Sequence, residues 1–151
     1  MKITKILSIL ALILILGVII TSGCTNNPIN QTTSSHFENS FVNFELPAGV
    51  TAKDTSNDTS LDIILFKNGK SIGEIDDEIT SKEAIDAIDG SNTTFAGKNA
   101  IESNDEFGSQ LYIKIRNDTQ GNTIGIRIAL DPGYSQDYEV IKNSFIIKKT
   151  P

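Results

Sequence analysis

Two adjacent segments near the C-terminus constrain the fold more than any other feature of this chain. In the first, Leu111, Ile113 and Ile115 alternate with Tyr, Lys and Arg, and in the second an apolar residue recurs at every even position from 124 to 130. Alternation with a period of two predicts strands that have one apolar and one polar face. A polar stretch, residues 117–121, separates the two segments. We therefore expect an antiparallel hairpin with one buried face.

The preceding part of the chain carries further strand signals. They occupy residues 41–46, 50–53, 61–67, 70–76, 92–95 and 99–103, and a last short strand is expected at 145–147. The segment 61–67 has apolar residues on both faces, which is typical of a strand covered on both sides. Asn68-Gly69 predicts a two-residue hairpin turn, because both turn positions need positive φ. A second connection is expected across Gly97-Lys98.

Two segments have helical patterns. Thr80-Ser-Lys-Glu83 has the form of a capping box, which predicts a helix that runs to Asp89 and ends at a left-handed Gly90. A second helix is expected from Ser135, since Tyr138, Ile141 and Phe145 follow at helical spacing. Strands are not separated regularly by helices, so a parallel doubly wound sheet is disfavoured. The predicted fold class is α+β, an antiparallel sheet flanked by helices.

The first 24 residues indicate export. Lys2 and Lys5 precede a run from Ile6 to Ile20 that is apolar except for Ser8, and small residues then lead to the one cysteine, Cys24. This arrangement is a secretory signal. Because Ser22-Gly23 stands directly before Cys24, it resembles the lipobox of prokaryotic lipoproteins, in which the cysteine is lipidated and becomes the new N-terminus. We predict a signal peptide over residues 1–23 and lipidation of Cys24.

An uncleaved membrane anchor is the main alternative for this region, and a simple secreted protein is the other. Thr21 stands where the usual pattern has leucine. The apolar run of 15 residues would reach only about 22 Å, short of a hydrocarbon core of about 30 Å. The two lysines keep the N-terminus inside in either membrane-bound case. Both cases place the chain at the cell membrane, facing outside the cytoplasm.

Composition limits the partners and the chemistry. Cleavage before Cys24 would remove two lysines and shift the formal net charge from −6 to −8. Nucleic acid is therefore excluded as an expected partner, because a nucleic-acid-binding protein needs a basic surface.

Residues 24–40 are polar, and we expect a flexible tether there that leads to a domain over 41–149. His36, the one histidine, falls in this tether.

Three stretches carry a resemblance to a known family. They are Val42-Asn-Phe-Glu-Leu-Pro47, Asn92-Thr-Thr-Phe-Ala-Gly-Lys-Asn-Ala100 and Asn143-Ser-Phe-Ile-Ile147. In this order of elements, residues 41–149 resemble PsbP-like proteins, which include small prokaryotic lipoproteins and the photosystem II accessory protein that names the family. The resemblance implies an α/β/α sandwich and a non-enzymatic accessory or binding role, and it transfers no catalytic residue. Val50 stands near the place where many relatives carry tryptophan.

Two groups of residues are candidates for binding. Glu74, Asp76, Asp77 and Glu78 form the densest acidic patch and would either bind Ca²⁺ or form a solvated strand end. Tyr112, Lys114, Arg116 and Arg127 are expected on the polar face of the hairpin. If that face is open, it presents cations and a ring to an anionic partner; if a helix covers it, the side chains only extend past the covering residues. The candidate binding residues are Glu74, Asp76, Tyr112, Lys114 and Arg127.

The sequence favours one function and leaves a second open. We expect a non-catalytic accessory or protein-interaction domain, bound to the membrane through a lipid on Cys24 or an N-terminal anchor and serving a protein partner. The alternative is a surface lipoprotein that binds a small ligand or a cation. A hydrolase is disfavoured because no nucleophile and base pair is readable. No catalytic residue, metal site or cofactor is predicted.

Overall fold

The computed structural model describes residues 31–32 and 35–151. The predicted signal peptide and Cys24 lie outside the described residues. Most of the described chain is β-structure, with strands β1 (Gln31–Thr32), β2 (His36–Glu38), β3 (Val42–Glu45), β4 (Val50–Asp54), β5 (Asp62–Lys67), β6 (Lys70–Thr80), β7 (Ser91–Phe95), β8 (Lys98–Asp105), β9 (Gly108–Asn117), β10 (Thr123–Leu130) and β11 (Ile146–Ile147). Two helices accompany them, α1 (Lys82–Asp86) and α2 (Ser135–Ser144).

The strands form two antiparallel sheets. Eight of them pair in the order β1-β4-β5-β6-β10-β9-β8-β7, and three pair in the order β11-β3-β2. The antiparallel sheet predicted from the alternating residues is confirmed. The β9/β10 hairpin pairs as expected, with a register shift between Ile124 and Gly125.

The main core lies between one face of the large sheet and a layer made of α2 and the small sheet. Ile63, Leu111 and Ile126 contribute to this core from three different strands, β5, β9 and β10, and all three are buried. They belong to the same cluster as Tyr138 and Ile141 of α2. The second helix therefore covers the central strands of the large sheet.

Aromatic rings extend this core into the small sheet. The ring of Phe44 stacks on Phe37 at 5.0 Å and on Phe145 at 5.8 Å between centroids. The Nζ of Lys67 also donates to both carboxylate oxygens of the buried Asp137, at 2.9 and 2.8 Å. This ion pair fixes α2 to the end of β5.

The first helix covers part of the opposite face of the large sheet. Ile85 packs there with Ile101 and Tyr112, and Ile88 completes this smaller cluster. The cap differs from the predicted one, since Ser81, not Thr80, accepts the hydrogen bond from the amide of Ala84 at 3.2 Å.

This helix is also shorter than predicted, because it ends at Asp86 instead of Asp89. Gly90 is needed for close approach and not for a left-handed turn: a Cβ there would lie 2.7 Å from the carbonyl oxygen of Glu102.

Two hairpin turns have positive φ at both central residues. Asn68-Gly69 does so as predicted, with φ of 53° and 75°. The β7/β8 turn is centred on Ala96-Gly97, with φ of 50° and 74°, one residue before the predicted Gly97-Lys98. An alanine in the left-handed region carries a steric cost that glycine or asparagine avoids.

The predicted boundary between tether and domain needs correction. Residues 31–32 pair with β4, and residues 36–38 pair with β3. Part of the segment 24–40 is therefore folded onto both sheets, because Phe37 alternates with polar neighbours and is buried in the aromatic stack. The domain begins before residue 41.

Candidate functional site

The guanidinium of Arg127 is the centre of a charged cluster on the large sheet. The cluster lies on the face that α1 partly covers, which we call the second face. Arg127 lies on β10 between Asp76 of β6 and Tyr112 of β9. Its Nε and Nη2 donate to the two carboxylate oxygens of Asp76 at 3.1 and 2.8 Å, and Nη2 also donates to Glu74. Glu78 lies 3.6 Å from Nε. We call these four residues, Arg127, Asp76, Glu74 and Glu78, the Arg127 cluster.

The positive charge of Arg127 in this cluster is compensated by the carboxylates around it. The hydrogen bonds to Asp76 raise the pKa of Arg127 above its ordinary value, burial opposes this, and the charges of Asp76, Glu74 and Glu78 add to the increase. A bidentate contact of this kind fixes both side chains. Glu74 and Asp76 are therefore occupied by a cation that the protein itself supplies.

The acidic patch predicted from the sequence is split between the two faces of β6. Asp77 points away from the Arg127 cluster and accepts hydrogen bonds from the amide of Leu61 at 2.5 Å and the hydroxyl of Ser60 at 2.9 Å. It thereby orders the chain that enters β5. In the part of the chain that the structure describes, no three His, Cys, Asp or Glu side chains come together in an arrangement that would hold a metal ion.

Tyr112 is a covered residue and not part of an open binding face. It is 1% exposed, and α1 packs on it through Ile85. Its ring lies over Gly125, where a Cβ would come within 2.4 Å of the ring, and its hydroxyl donates to the carbonyl of Thr123 at 3.1 Å. Burial raises its pKa. Of the two alternatives for this face, an open surface or one covered by a helix, Tyr112 shows the second. Gly125 on the neighbouring strand is the sequence signal for this packing.

Lys114 and Arg116 follow Tyr112 on the same face of β9 but are less buried than it. Arg116 donates to the carbonyl of Pro151 at 3.2 Å. Lys114 lines a pocket of 260 Å³ beside α1, and its ammonium has no hydrogen bond or ion pair to another described residue. We call this the α1-side pocket; its other lining residues are Ile85, Asp86, Ile88, Gly90, Asn92 and Ile101.

A polar network that the sequence did not indicate lies at the other side of the sheet. The hydroxyl of Tyr138 donates to the carboxylate of Glu102 at 2.9 Å, and Lys142 donates to it at 2.7 Å. Burial alone would raise the pKa of Glu102, but the hydrogen bonds from Lys142 and Tyr138 outweigh it and hold the pKa below its usual value. The network joins α2 to β8.

This network borders a second pocket, of 400 Å³, between β7 and the C-terminal half of α2. We call it the α2-side pocket. Its lining is mixed, with apolar side chains from the core beside Glu102 and Lys142; the residues from the core are Phe95, Leu111 and Phe145. Residues Ser91 to Thr94 of β7, which separates the two pockets, are all exposed.

A groove lies between α2 and the small sheet. It has a volume of 690 Å³, and His36 lines it together with Glu45, Ser144 and Ile146. His36, predicted as a tether residue, stands on β2 opposite Glu45. Val140 and Ile146 are 40% and 56% exposed at this groove.

Comparisons with known proteins add one structural likeness. Neither a family model nor a curated protein matches this chain. The chain is similar to a crystal structure of a protein from Bacteroides thetaiotaomicron VPI-5482, with a TM-score of 0.44 and 10% sequence identity. The match covers 78% of this chain and 50% of that chain, so this chain spans half the length of that protein. No helix within residues 31–32 and 35–151 has the length and apolar character to cross a bilayer.

Proposed function

We propose that this chain is a membrane-anchored extracytoplasmic lipoprotein whose domain is a non-catalytic accessory module that binds another protein. The anchor is argued from the signal sequence and Cys24. The antiparallel sheet has α2 on one face and α1 on the other. This arrangement is compatible with the α/β/α sandwich that the PsbP-like resemblance implies, and the accessory role follows from that resemblance.

One observation carries the interaction role: the strand β7 forms a sheet edge that is exposed and bordered by two pockets. By contrast, the charged residues in the middle of the second face engage one another. At this edge a partner would meet outward backbone groups, uncharged polar side chains and two pockets that combine apolar with charged residues. Backbone pairing together with side-chain pockets is a recurring mode of peptide recognition.

The anchor and the domain are close in the sequence. The first described strand begins at Gln31, seven residues after Cys24. Seven residues span at most about 25 Å when fully extended. A lipid on Cys24 would therefore hold the domain next to the membrane surface, where a membrane-associated partner is within reach.

Cell fractionation tests the anchor. Replacing Cys24 by Ala should move the full chain from the membrane fraction to the soluble extracytoplasmic fraction, while Ser22→Thr, which keeps the cysteine, should not. An unchanged distribution of the Cys24→Ala protein would contradict the lipoprotein proposal. Crosslinking in intact membranes then tests the interaction role, which predicts one recurrent neighbouring protein.

Calorimetry separates this function from the alternative of cation binding. The alternative requires Glu74 and Asp76 to accept Ca²⁺, whereas both already contact Arg127. We expect no binding heat when Ca²⁺ is titrated into the wild-type protein. A saturable heat that disappears in the Glu74→Gln, Asp76→Asn double variant would favour the cation-binding lipoprotein.

A further inference from the structure

The strand β7 leaves one edge of the large sheet uncovered among the described residues. It pairs with β8 on one side, and no other described strand lies on its other side. At the opposite end of the sheet the terminal strand is the two-residue β1, which is too short to offer an added strand a comparable ladder. We call the uncovered side, Ser91–Phe95, the β7 edge.

The hairpin register shows which backbone groups of the β7 edge face outward. Phe95 and Lys98 flank a two-residue turn, and such a pair exchanges both of its hydrogen bonds. Alternate pairs along the ladder do the same, so Thr93 and Ser91 also bond to β8. The amide and carbonyl groups of Asn92 and Thr94 therefore point away from β8, toward solvent.

The β7 edge lacks the features that usually prevent strand addition. Its sequence, Ser91-Asn-Thr-Thr-Phe95, contains no charged residue and no proline. Its pairing with β8 is regular, without a register shift. Natural edges are commonly protected by lysine, proline or a bulge. No charged side chain, proline or bulge within the β7 edge therefore opposes an added strand.

The two pockets lie where alternate side chains of an added strand would project. On one face, Thr93 and Phe95 border the α2-side pocket, whose wall includes Leu111 and Phe145. On the other face, Asn92 borders the α1-side pocket, with Ile85 and Ile101. Backbone pairing gives affinity in such a site, and pockets for alternate side chains give specificity.

The chain's own leading segment does not fit as the occupant. The β7 edge is seven strand spacings from β1, about 34 Å along the sheet. The residues between Cys24 and Gln31 span at most about 25 Å. With Cys24 held at the membrane, this segment cannot reach the β7 edge.

A second copy of the chain also fits poorly. Each copy carries a net charge of −6, or −8 after cleavage, so two copies repel each other. The same charge disfavours an acidic segment and favours a neutral or basic one.

We propose that the β7 edge binds an extended segment of a partner protein by strand addition. The segment is neutral or basic and carries apolar side chains at alternate positions, which enter the α2-side and α1-side pockets. This inference deepens the proposed interaction role and rests on it.

Peptides selected from a displayed library of random ten-residue sequences against the detergent-extracted full chain test the proposal. The selected peptide should lose about tenfold or more in affinity for Thr94→Pro, because proline removes an outward amide that no described residue uses. Asn92→Lys should weaken binding of a basic peptide similarly. Gln136→Lys is the matched control, since it adds the same charge at an exposed residue of the first turn of α2, next to Asp137, which contacts β5 and not β7.

Methylation of the peptide's backbone amides gives a second readout that does not depend on any protein variant. Strand addition predicts that methylation at every second residue abolishes binding while methylation at the intervening residues is tolerated. Circular dichroism and thermal unfolding of each protein variant check that the fold is retained.

The outcomes separate this inference from the proposed function. Peptides that bind all variants equally, that tolerate methylation at every position, or that cannot be selected at all would overturn strand addition at the β7 edge. A concentration-dependent dimer that Thr94→Pro dissociates would overturn it in favour of a second copy. If a membrane neighbour still crosslinks to the Thr94→Pro protein as to wild type, the interaction role stands and only the site is wrong.

Discussion

At the scale of single residues, Arg127 decides how the second face of the sheet behaves. Its side chain is 25% exposed, and the side chain of Asp76 is 23% exposed. Replacing Arg127 by Met leaves three carboxylates close together without a cation. We expect the free energy of unfolding to fall by about 1 to 3 kcal/mol, measured by urea denaturation at pH 7.

Arg127→Lys is the control for this prediction. It keeps the positive charge but loses the bidentate contact with Asp76, so its loss of stability should be smaller. An Arg127→Met protein within about 0.5 kcal/mol of wild type would contradict a structural role for the cluster. Such a result would also make Glu74 and Asp76 candidates for binding Ca²⁺ again.

Glu102 provides a prediction about pH. Its pKa is lowered in the folded protein, so its stabilising contribution is present above the unfolded-state glutamate pKa of about 4.3 and is lost as the pH falls through the folded-state value. Glu102→Gln should therefore be less stable than wild type at pH 7, and the difference should disappear toward pH 3. Urea denaturation at several pH values measures this.

The exposed Glu106, in the turn between β8 and β9, supplies a comparison. Glu106→Gln should change the free energy of unfolding little at any of these pH values, since this side chain has no ion pair with another described residue. If the Glu102→Gln difference were the same at pH 3 and pH 7, the carboxylate charge would not be the cause.

At the level of elements, the β7/β8 turn contains a residue, Ala96, whose side chain disfavours its backbone conformation. Ala96 has φ of 50°, a conformation that glycine adopts without a steric cost. Ala96→Gly should raise the free energy of unfolding by about 0.5 to 1 kcal/mol. The matched control is Ala87→Gly, because Ala87 has φ of −90° and glycine should give no gain there. Destabilisation by Ala96→Gly would contradict the assigned turn.

The sequence predicts those elements whose patterns are local. The alternating residues of β9 and β10 and the turn at Asn68-Gly69 are seen as expected. The turn at Ala96-Gly97 was misplaced by one residue because alanine gives no sign that it will adopt positive φ.

Contacts between distant residues were not predictable in the same way. The partners of Arg127 on β6 are 49 to 53 positions away, and alternation alone does not say which strand lies beside β10. The sequence predicts a helix near residues 80–89 but leaves open whether a helix covers Tyr112, because a five-residue helix has too little periodicity to show which face it buries. The strands within residues 31–38 were missed because polar residues dominate that segment.

At the scale of the whole molecule, we propose a folded domain that a lipid on Cys24 holds close to a membrane. One end of its large sheet is the two-residue strand β1, which is the described strand nearest to Cys24 in the sequence, and the other end is β7. Attachment and binding are thus assigned to opposite edges of one sheet. This separation leaves the β7 edge accessible while the chain is anchored.

Intact mass spectrometry of the native protein extracted from membranes distinguishes a lipidated Cys24 from an uncleaved N-terminal anchor. We predict a mass that begins at Cys24 and includes a covalently bound lipid. A mass that retains Met1 and has no lipid would contradict the lipoprotein account and would leave an uncleaved N-terminal anchor in its place.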